Sequence, residues 1–152
     1  MYAVLSDGRI YAYLSEPPPI TVEDLRRKYE FQSRGRSPDG TEIWLNWVLR
    51  LRASGELIGF HQATVRAAHC SIAYVLNPRH WGKGYATEAS IAVISHLFRE
   101  HGIARVRTEI NARNEASLRL VRRLGFSLAG HDEDADDEIH EIARTEWSVL
   151  HP

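Results

Sequence analysis

The ten residues Arg79–Glu88, with the sequence RHWGKGYATE, decide how the rest of the chain is interpreted. They follow an apolar run typical of a strand and precede a long segment with helical periodicity. Gly82 and Gly84 lie at this junction, where glycine allows positive φ angles and lets a ligand approach the backbone closely. The first amides of a helix have no partner within the helix and lie at the positive end of its dipole, so they can bind phosphate oxygens. Lys83 adds a positive charge beside them.

Three phosphate-binding patterns compete for this loop. The dinucleotide-binding pattern G-x-G-x-x-G requires a third glycine or an alanine where this chain has Thr87. The nucleoside triphosphate-binding pattern G-x-x-x-x-G-K-S/T does not occur in the sequence. The pattern R-x-x-G-x-G is complete in Arg79, Gly82 and Gly84. When the loop is considered alone, a glycine turn that binds no ligand explains it about as well as a phosphate-binding pattern does.

The hydrophobic pattern predicts helices and strands around one sheet. Thr21 has the position of an N-cap, with Asp24 as its capping-box partner. Helices are predicted over residues 21–33, 84–100 and 114–124, with a weaker helical pattern over 3–14. Strands are predicted over 44–52, 57–65, 70–76, 104–110, 126–129 and 142–150. Seven acids between Asp132 and Glu141 predict an exposed connection between the last two strands. Since strands precede and separate the last two helices, the predicted class is α/β or α+β.

Length and composition limit the classes of protein to consider. A chain of 152 residues is expected to form a single domain over residues 1–152. A formal net charge of −1 argues against nucleic acid or an anionic membrane as a partner. One cysteine, Cys70, excludes an internal disulfide, and the histidine spacing gives no reason to expect a metal site. With neither a signal-peptide pattern nor an apolar run of membrane-spanning length, we expect a soluble cytoplasmic protein.

Two motifs downstream connect the loop to a known family. The loop continues as G-Y-A-T-E-A and is followed by N-x-x-N-x-x-S at Asn111–Ser117 and by L-G-F at Leu124–Phe126. In this order and separation the motifs resemble the GNAT superfamily of acyl-CoA N-acyltransferases. Within it they are most similar to the RimJ/RimL type, the ribosomal-protein-alanine N-acetyltransferases and their relatives. The resemblance covers about residues 42–150.

The resemblance implies both a fold and an activity. The implied fold is a GNAT-like mixed, mostly antiparallel sheet flanked by helices, and splayed between the strands at about 70–76 and 104–110. The implied reaction moves an acetyl group from acetyl-CoA to a primary amine, on a protein N-terminus or a small molecule, by direct attack in a ternary complex. Acetyl-CoA is then the acyl-donor substrate, and no metal is required.

The resemblance also implies roles for individual residues. The backbone of Tyr74, Val75 and Leu76 is expected along the pantetheine arm, and an N–H of Val75 or Leu76 is expected to stabilise the oxyanion. Asn114 matches an asparagine at the pantetheine or the loop before the helix. Ser117 matches a serine near the thioester sulfur and is the candidate to protonate the leaving thiolate. The pyrophosphate is expected at the loop and helix start, in the set Arg79, Trp81, Gly82, Lys83, Gly84, Tyr85, Ala86 and Thr87.

The sequence departs from the family where a general base is usual. Ser71 stands where many relatives have a glutamate, and Val121 stands where some have a tyrosine acid. Glu109 is the first candidate base, because it lies on the strand beside the acyl site. His61, His69 and the acidic segment are further candidates. The missing bases keep two alternatives open: an acetyl-CoA-binding module without catalysis, and a truncated, inactive relative.

The N-terminus departs from the family as well. Relatives open with a strand of the type R-L-x-L-R and then a helix, whereas Leu5–Leu14 resembles the second half of that helix. The usual first strand is therefore expected to be absent. Two explanations are open: the gene model begins late, or a homodimer covers the exposed sheet edge.

Overall fold

A computed structural model describes residues 1–67 and 69–151. In chain order the helices and strands are α1 (Tyr2–Leu5), a 3₁₀ helix (Gly8–Tyr13), α2 (Val22–Gln32), β1 (Ile43–Arg50), β2 (Leu57–Val65), β3 (Cys70–Leu76), a 3₁₀ turn (Pro78–His80), α3 (Tyr85–Glu100), β4 (Arg105–Asn111), α4 (Glu115–Arg123), β5 (Ser127–Asp132), β6 (Asp137–Ala143) and α5 (Arg144–Leu150). These elements confirm the predicted mixed class of strands and helices.

The strands form one six-stranded sheet in the order β1-β2-β3-β4-β6-β5. β3 and β4 are parallel neighbours, whereas the other adjacent strands are antiparallel. β2 and β3 pair along their length, from Gly59 opposite Leu76 to Val65 opposite Cys70. β3 and β4 are joined only at their first residues, where Cys70 lies opposite Val106 and Ser71 opposite Arg107. The two strands then separate, so the predicted splay is confirmed.

Alternation along the strands gives the sheet two packed faces. One face carries the main core, in which Val106 and Ile142 of the sheet pack with the buried residues Ile94 and Leu97 of α3. α4 and α5 complete this core. The opposite face carries a smaller cluster of α1 and α2 residues, against which Val75 packs. Tyr74 packs on the main core, so neighbouring residues of β3 point to opposite faces.

The end of the chain differs from the predicted strand at 142–150. The strand ends at Ala143, and α5 continues to Leu150. The Glu146 carboxylate accepts a hydrogen bond from the Ala143 N–H at 2.8 Å and caps the helix. The Trp147 side chain is buried in the main core, and its Nε1–H donates to Ser95 Oγ at 3.1 Å. Alternation favoured a strand here, but the cap and the buried tryptophan stabilise a helix.

Two further predictions are corrected. The acidic segment is not one long connection: β6 begins at Asp137, and the turn before it contains Asp136 with φ 56°. Ion pairs such as Glu141 with Arg105 allow acids within a strand. The N-terminal pattern is not one helix, because α1 ends at Leu5 and Asp7 caps a separate 3₁₀ helix by accepting from the Arg9 N–H. The capping box of Thr21 and Asp24 is confirmed by two hydrogen bonds of 3.0 Å.

Within residues 1–67 and 69–151, no helix is long and apolar enough to cross a membrane. The same residues contain no group of three or more His, Cys, Asp or Glu side chains that could hold a metal ion.

Candidate active site

The separation of β3 from β4 leaves a row of backbone groups without a strand partner. At the two ends of β3, the Asn77 N–H donates to the Ile58 carbonyl at 2.8 Å, and the Arg66 N–H donates to the His69 carbonyl at 2.9 Å. In an antiparallel pair these bonds fix which residues face the neighbour. Ile72, Tyr74 and Leu76 therefore turn their N–H and C=O groups away from β2 and towards the gap.

The loop after β3 leads from the gap to the start of α3. Asn77 Oδ1 accepts from the Arg79 N–H at 3.0 Å, which turns the chain. The Trp81 indole N–H then reaches back to the Leu76 carbonyl at 2.8 Å and fixes the loop against the end of the strand. These two hydrogen bonds hold the glycines at the mouth of the gap.

Gly82 and Gly84 have φ angles of 71° and 85°, which side chains other than glycine rarely adopt. A Cβ atom on either residue would meet no atom within 4 Å, so the space in front of the loop is open. The Glu88 N–H is bonded to the Gly84 carbonyl at 3.0 Å in the first turn of α3. The preceding amides, from Tyr85 to Thr87, have no acceptor within the helix and face this open space. The loop is therefore suited to hold an anion.

Gap and loop open into one cleft of about 650 Å³. Its floor and walls come from β3, the loop, the start of α3, the start of α4 and the N-terminal 3₁₀ helix. The predicted site residues that line it are Tyr74, Val75, Leu76, Trp81, Gly82, Gly84, Tyr85, Ala86, Thr87, Asn114 and Ser117. Segments far apart in the sequence thus build one elongated site.

Two hydroxyl groups meet inside the cleft. Tyr74 Oη and Ser117 Oγ are 2.9 Å apart, a hydrogen bond between β3 and α4. Asn114 caps α4, since its Oδ1 accepts from the Ser117 N–H at 3.2 Å, and this cap orients the serine. Burial raises the pKa of the Tyr74 phenol, so the phenol keeps its proton at neutral pH.

Comparisons with known proteins show to which family the chain belongs. Residues 1–127 match the Acetyltransferase (GNAT) domain family. The chain belongs to the GNAT acetyltransferase family. A curated relative, the uncharacterized N-acetyltransferase YoaA of Bacillus subtilis (strain 168), is 34% identical over 89 residues, which are 57% of this chain and 50% of YoaA. The chain spans about half the length of the curated relatives it matches.

Solved structures share the GNAT fold. A GNAT-family acetyltransferase from Bacillus anthracis superposes with a TM-score of 0.81 at 21% identity, over 96% of this chain and 88% of that one. Spermidine N-acetyltransferase from Vibrio cholerae, solved with CoA and spermine, superposes with a TM-score of 0.80 at 17% identity, over 97% of this chain and 89% of that one. At these identities the likeness concerns the fold.

Three predicted site residues do not line the GNAT cleft: Arg79, Lys83 and Glu109. Arg79 lies close to Asp7. The hydrogen bond from Arg9, and more weakly the charge of Arg79, lower the pKa of the Asp7 carboxyl to about 2. Lys83 is exposed at the tip of the loop.

Glu109 lies on the other side of the sheet from the hydroxyl pair. Val106 and Ile110 of β4 point into the main core, so alternation turns Glu109 to the face of α1 and α2. It is exposed there, opposite Ile139 of β6. Ser71, one strand away, accepts a hydrogen bond from Arg66 Nη1 at 3.2 Å. Two acids on β6 are paired with arginines: Glu141 with Arg105 at 2.7 Å, and Glu138 with Arg122 at 3.7 Å.

Sequence reasoning missed several parts of the cleft. It assigned only the backbone of Tyr74 to the site, whereas the side chain also reaches it. The period of two in β3 places Tyr74 on the same face as Ile72 and could have indicated this. It also missed the 3₁₀ helix and further residues of α4, which contribute Arg9, Ile10, Ala12, Tyr13, Leu14, Ala116, Arg119 and Leu120. Their contribution depends on tertiary packing that no local pattern records.

Proposed function

We propose that the protein transfers an acetyl group from acetyl-CoA to a primary amine, on a protein N-terminus or a small molecule, by direct attack in a ternary complex. The observation that carries the proposal is the continuity of the gap with the glycine loop. The gap-facing backbone of Tyr74 and the N–H of Leu76 lead directly to the free amides at the start of α3. CoA has the matching form, an amide-bearing arm that ends in a pyrophosphate.

Each part of the cleft has a role in this proposal. The amides from Trp81 to Ala86, with the Thr87 hydroxyl, hold the pyrophosphate, and Arg79 and Lys83 add positive charge to the loop. The gap-facing groups of β3 pair with the pantetheine amides. Of the two candidate oxyanion donors, Val75 and Leu76, alternation favours Leu76, whose N–H faces the gap.

The reaction requires one proton to leave the amine and another to reach the thiolate. We assign Ser117 to the thiolate, because its hydroxyl lies within the cleft beside the end of the gap. We assign Glu109 to the amine, because it is a carboxylate on β4 at the opposite face of the splayed strands. The amine then approaches from the α2 side while CoA enters from the α3 side, and no covalent enzyme intermediate is needed.

A catalytically inactive acetyl-CoA-binding module is the second candidate. It is favoured by Ser71, which replaces the glutamate of many relatives and is held by Arg66. The RimJ/RimL type, a cytoplasmic location and a homodimer remain predictions for this chain.

A panel of amines decides between the two candidates. Purified protein is incubated with acetyl-CoA and peptides with free N-termini, amino acids, polyamines or aminoglycosides, and product is identified by mass spectrometry. An acetylated amine, formed in step with CoA release, supports the transferase. Tight binding of acetyl-CoA without acetylation of any amine in the panel supports the binding module.

The base is tested with Glu109→Gln, with Glu133→Gln in the β5–β6 turn as the matched control. We expect kcat/KM to fall about 100-fold near neutral pH, the low end of what a positioned base contributes. The deficit should shrink as the pH approaches the pKa of the amine, because the free amine needs no base. A deficit that is constant with pH, or equal in the control, would exclude Glu109 as the base.

A further inference from the structure

We propose that Tyr74 supplies the proton that Ser117 passes to the leaving thiolate, so that the hydroxyl pair works as a two-step relay from β3 to the sulfur. This inference rests on the proposed function and deepens it. Ser117 touches the reacting sulfur and is the catalytic residue. Tyr74 acts through Ser117 as its proton-supplying partner.

The first argument is the hydrogen bond itself. A serine hydroxyl can donate only one proton, so Ser117 protonates a thiolate efficiently only if its oxygen recovers a proton at the same time. Tyr74 Oη, at 2.9 Å, is the side-chain group that hydrogen-bonds to Ser117 Oγ within residues 1–67 and 69–151. The other neighbours in the first turns of α4 include Leu118 and Val121, which are buried apolar side chains without protons to exchange.

The second argument is that the pair is held at both ends. The backbone of Ser117 is fixed by Asn114, which caps α4 through a 3.2 Å hydrogen bond. The ring of Tyr74 stacks on His61, with ring centroids 6.0 Å apart and an interplanar angle of 29°. The imidazole of His61 is itself held by Ser90, whose Oγ lies 3.3 Å from Nε2. The phenol therefore cannot swing away from the serine without disturbing a buried layer beneath it.

The third argument is the charge state of the layer. His61 is fully buried, and burial lowers its pKa to about 4, so the imidazole is neutral at physiological pH. A neutral ring beneath Tyr74 neither stabilises a phenolate nor competes for its proton. The phenol is thus kept protonated and available between reactions.

The protons of this step balance with water as the only further reactant. The ammonium form of the substrate first gives one proton to the base. The free amine nitrogen then forms a bond to the acetyl carbon and gives a second proton to water, and the carbon–sulfur bond breaks with its electron pair on sulfur. Ser117 Oγ–H donates to that sulfur, and Tyr74 Oη–H donates to Ser117 Oγ. The phenolate then recovers a proton from water, the base releases one, and the products are the amide and the free thiol of CoA.

The test uses Tyr74→Phe and Ser117→Ala, singly and together, with Tyr2→Phe as the control, because the Tyr2 phenol donates to the Ile20 carbonyl at 2.9 Å and does not line the cleft. We expect kcat with acetyl-CoA to fall about 100-fold in each single variant and no further in the double variant, because a relay fails as a unit. The dissociation constant of acetyl-CoA should change less than about threefold. Tyr2→Phe should retain the activity of the wild type.

The dependence of kcat on the leaving group distinguishes the relay from a purely structural role of Tyr74 and Ser117. A selenolate is a much weaker base than a thiolate and leaves without protonation, so the selenoester analogue of acetyl-CoA should restore most of the lost kcat in both variants. In a protein that carries 3-fluorotyrosine at position 74, the more acidic phenol should shift the loss of kcat at high pH to lower pH.

Several results would overturn the relay. One is a Tyr74→Phe protein with wild-type kcat. Another is a deficit that the selenoester does not relieve, or losses that multiply in the double variant. These results leave the proposed function intact, since the wild type still transfers acetyl groups. A wild type that binds acetyl-CoA but transfers nothing removes the proposed function and the relay together.

Discussion

The two edges of β3 differ in how far they are paired with a neighbouring strand. On the β2 side the strand is paired from Cys70 to Leu76, and on the β4 side it is paired only at Cys70 and Ser71. An unpaired backbone group that is also buried costs about 1–3 kcal/mol. The open edge is therefore stable only where water or a ligand can reach it, and the 650 Å³ cleft provides that access.

We call the β2 side of the strand the closed edge and the β4 side the open edge. The residues near the two edges also differ in their chemistry. The closed edge carries the neutral imidazole of His61 on β2, and the paired start of β3 carries the buried Cys70, whose pKa burial raises to about 12. Both groups are inert at neutral pH. The open edge leads to glycines, free amides and hydroxyl groups. Changes on the closed edge should thus alter stability, whereas changes around the open edge should alter ligand binding and turnover. The following predictions test this division, from the largest effect to the smallest.

The largest effect is expected for Gly84→Glu, in the glycine loop at the mouth of the gap. The new side chain enters the open space in front of the loop and places a negative charge at the proposed pyrophosphate site. We expect the affinity for acetyl-CoA, measured by calorimetry, to fall more than about 100-fold, or about 3 kcal/mol.

Gly102→Glu is its matched control at the other end of α3. Gly102 also has a positive φ, 63°, and a Cβ there would also meet no atom within 4 Å. Both variants bear the same backbone strain of roughly 1–2 kcal/mol, but only one of them faces the cleft. Equal loss of affinity in both would contradict the placement of the pyrophosphate.

The second effect concerns the closed edge and depends on pH. The pKa of His61 is lowered in the folded state, so stability is complete above the unfolded pKa of 6.5 and is lost as the pH falls towards about 4. Between pH 7 and 4.5 the wild type should lose about 2 kcal/mol of unfolding free energy more than His61→Gln, measured in urea. The same pH dependence in both proteins would show that His61 does not titrate as its burial implies.

The third effect compares two helix caps. Asn114→Ala and Thr21→Ala each remove a side-chain cap, and each should lower the unfolding free energy by about 1 kcal/mol. Because Asn114 orients Ser117, only the first variant should also reduce kcat. A reduced kcat in Thr21→Ala, or an unchanged kcat in Asn114→Ala, would contradict the assigned role of the cap.

The smallest effect concerns Cys70, whose thiol should not react with a thiol reagent in the folded protein. Its side chain is fully buried and its thiol is protonated at neutral pH, so the folded protein should not react with a thiol reagent within the time of an activity assay. One equivalent should react after unfolding in urea. Rapid reaction of the folded protein would show that the junction of β3 and β4 opens at its paired end.

Much of the fold could be predicted from the sequence because its signals are local. The glycines at 82 and 84, the cap at Asn114 and the alternation in β3 each act within a few residues. The strand predicted at 142–150 was wrong, because the cap from Glu146 and the burial of Trp147 stabilise a helix there. In that segment tertiary packing outweighs the local pattern.

The backbone segments that form the site could be predicted better than the contacts between side chains within it. The family resemblance assigned the loop, Asn114 and Ser117 to one site, and all three line the cleft, because each follows a strand whose end lies at the gap. The contact between Tyr74 and Ser117 joins residues 43 positions apart and depends on how α4 packs on β3. For the same reason the contribution of Arg9 and the 3₁₀ helix carried no signal in the sequence.

The most direct measurement is a calorimetric titration of the wild type with acetyl-CoA, with free CoA and Gly84→Glu as comparisons. If the open edge of β3 and the loop form the acyl-donor site, acetyl-CoA should bind to one site per chain with micromolar affinity. Free CoA should bind similarly, since the arm and pyrophosphate supply most of the contacts, and Gly84→Glu should not bind measurably. A well-folded wild type that takes up no acetyl-CoA would contradict the assignment of this cleft.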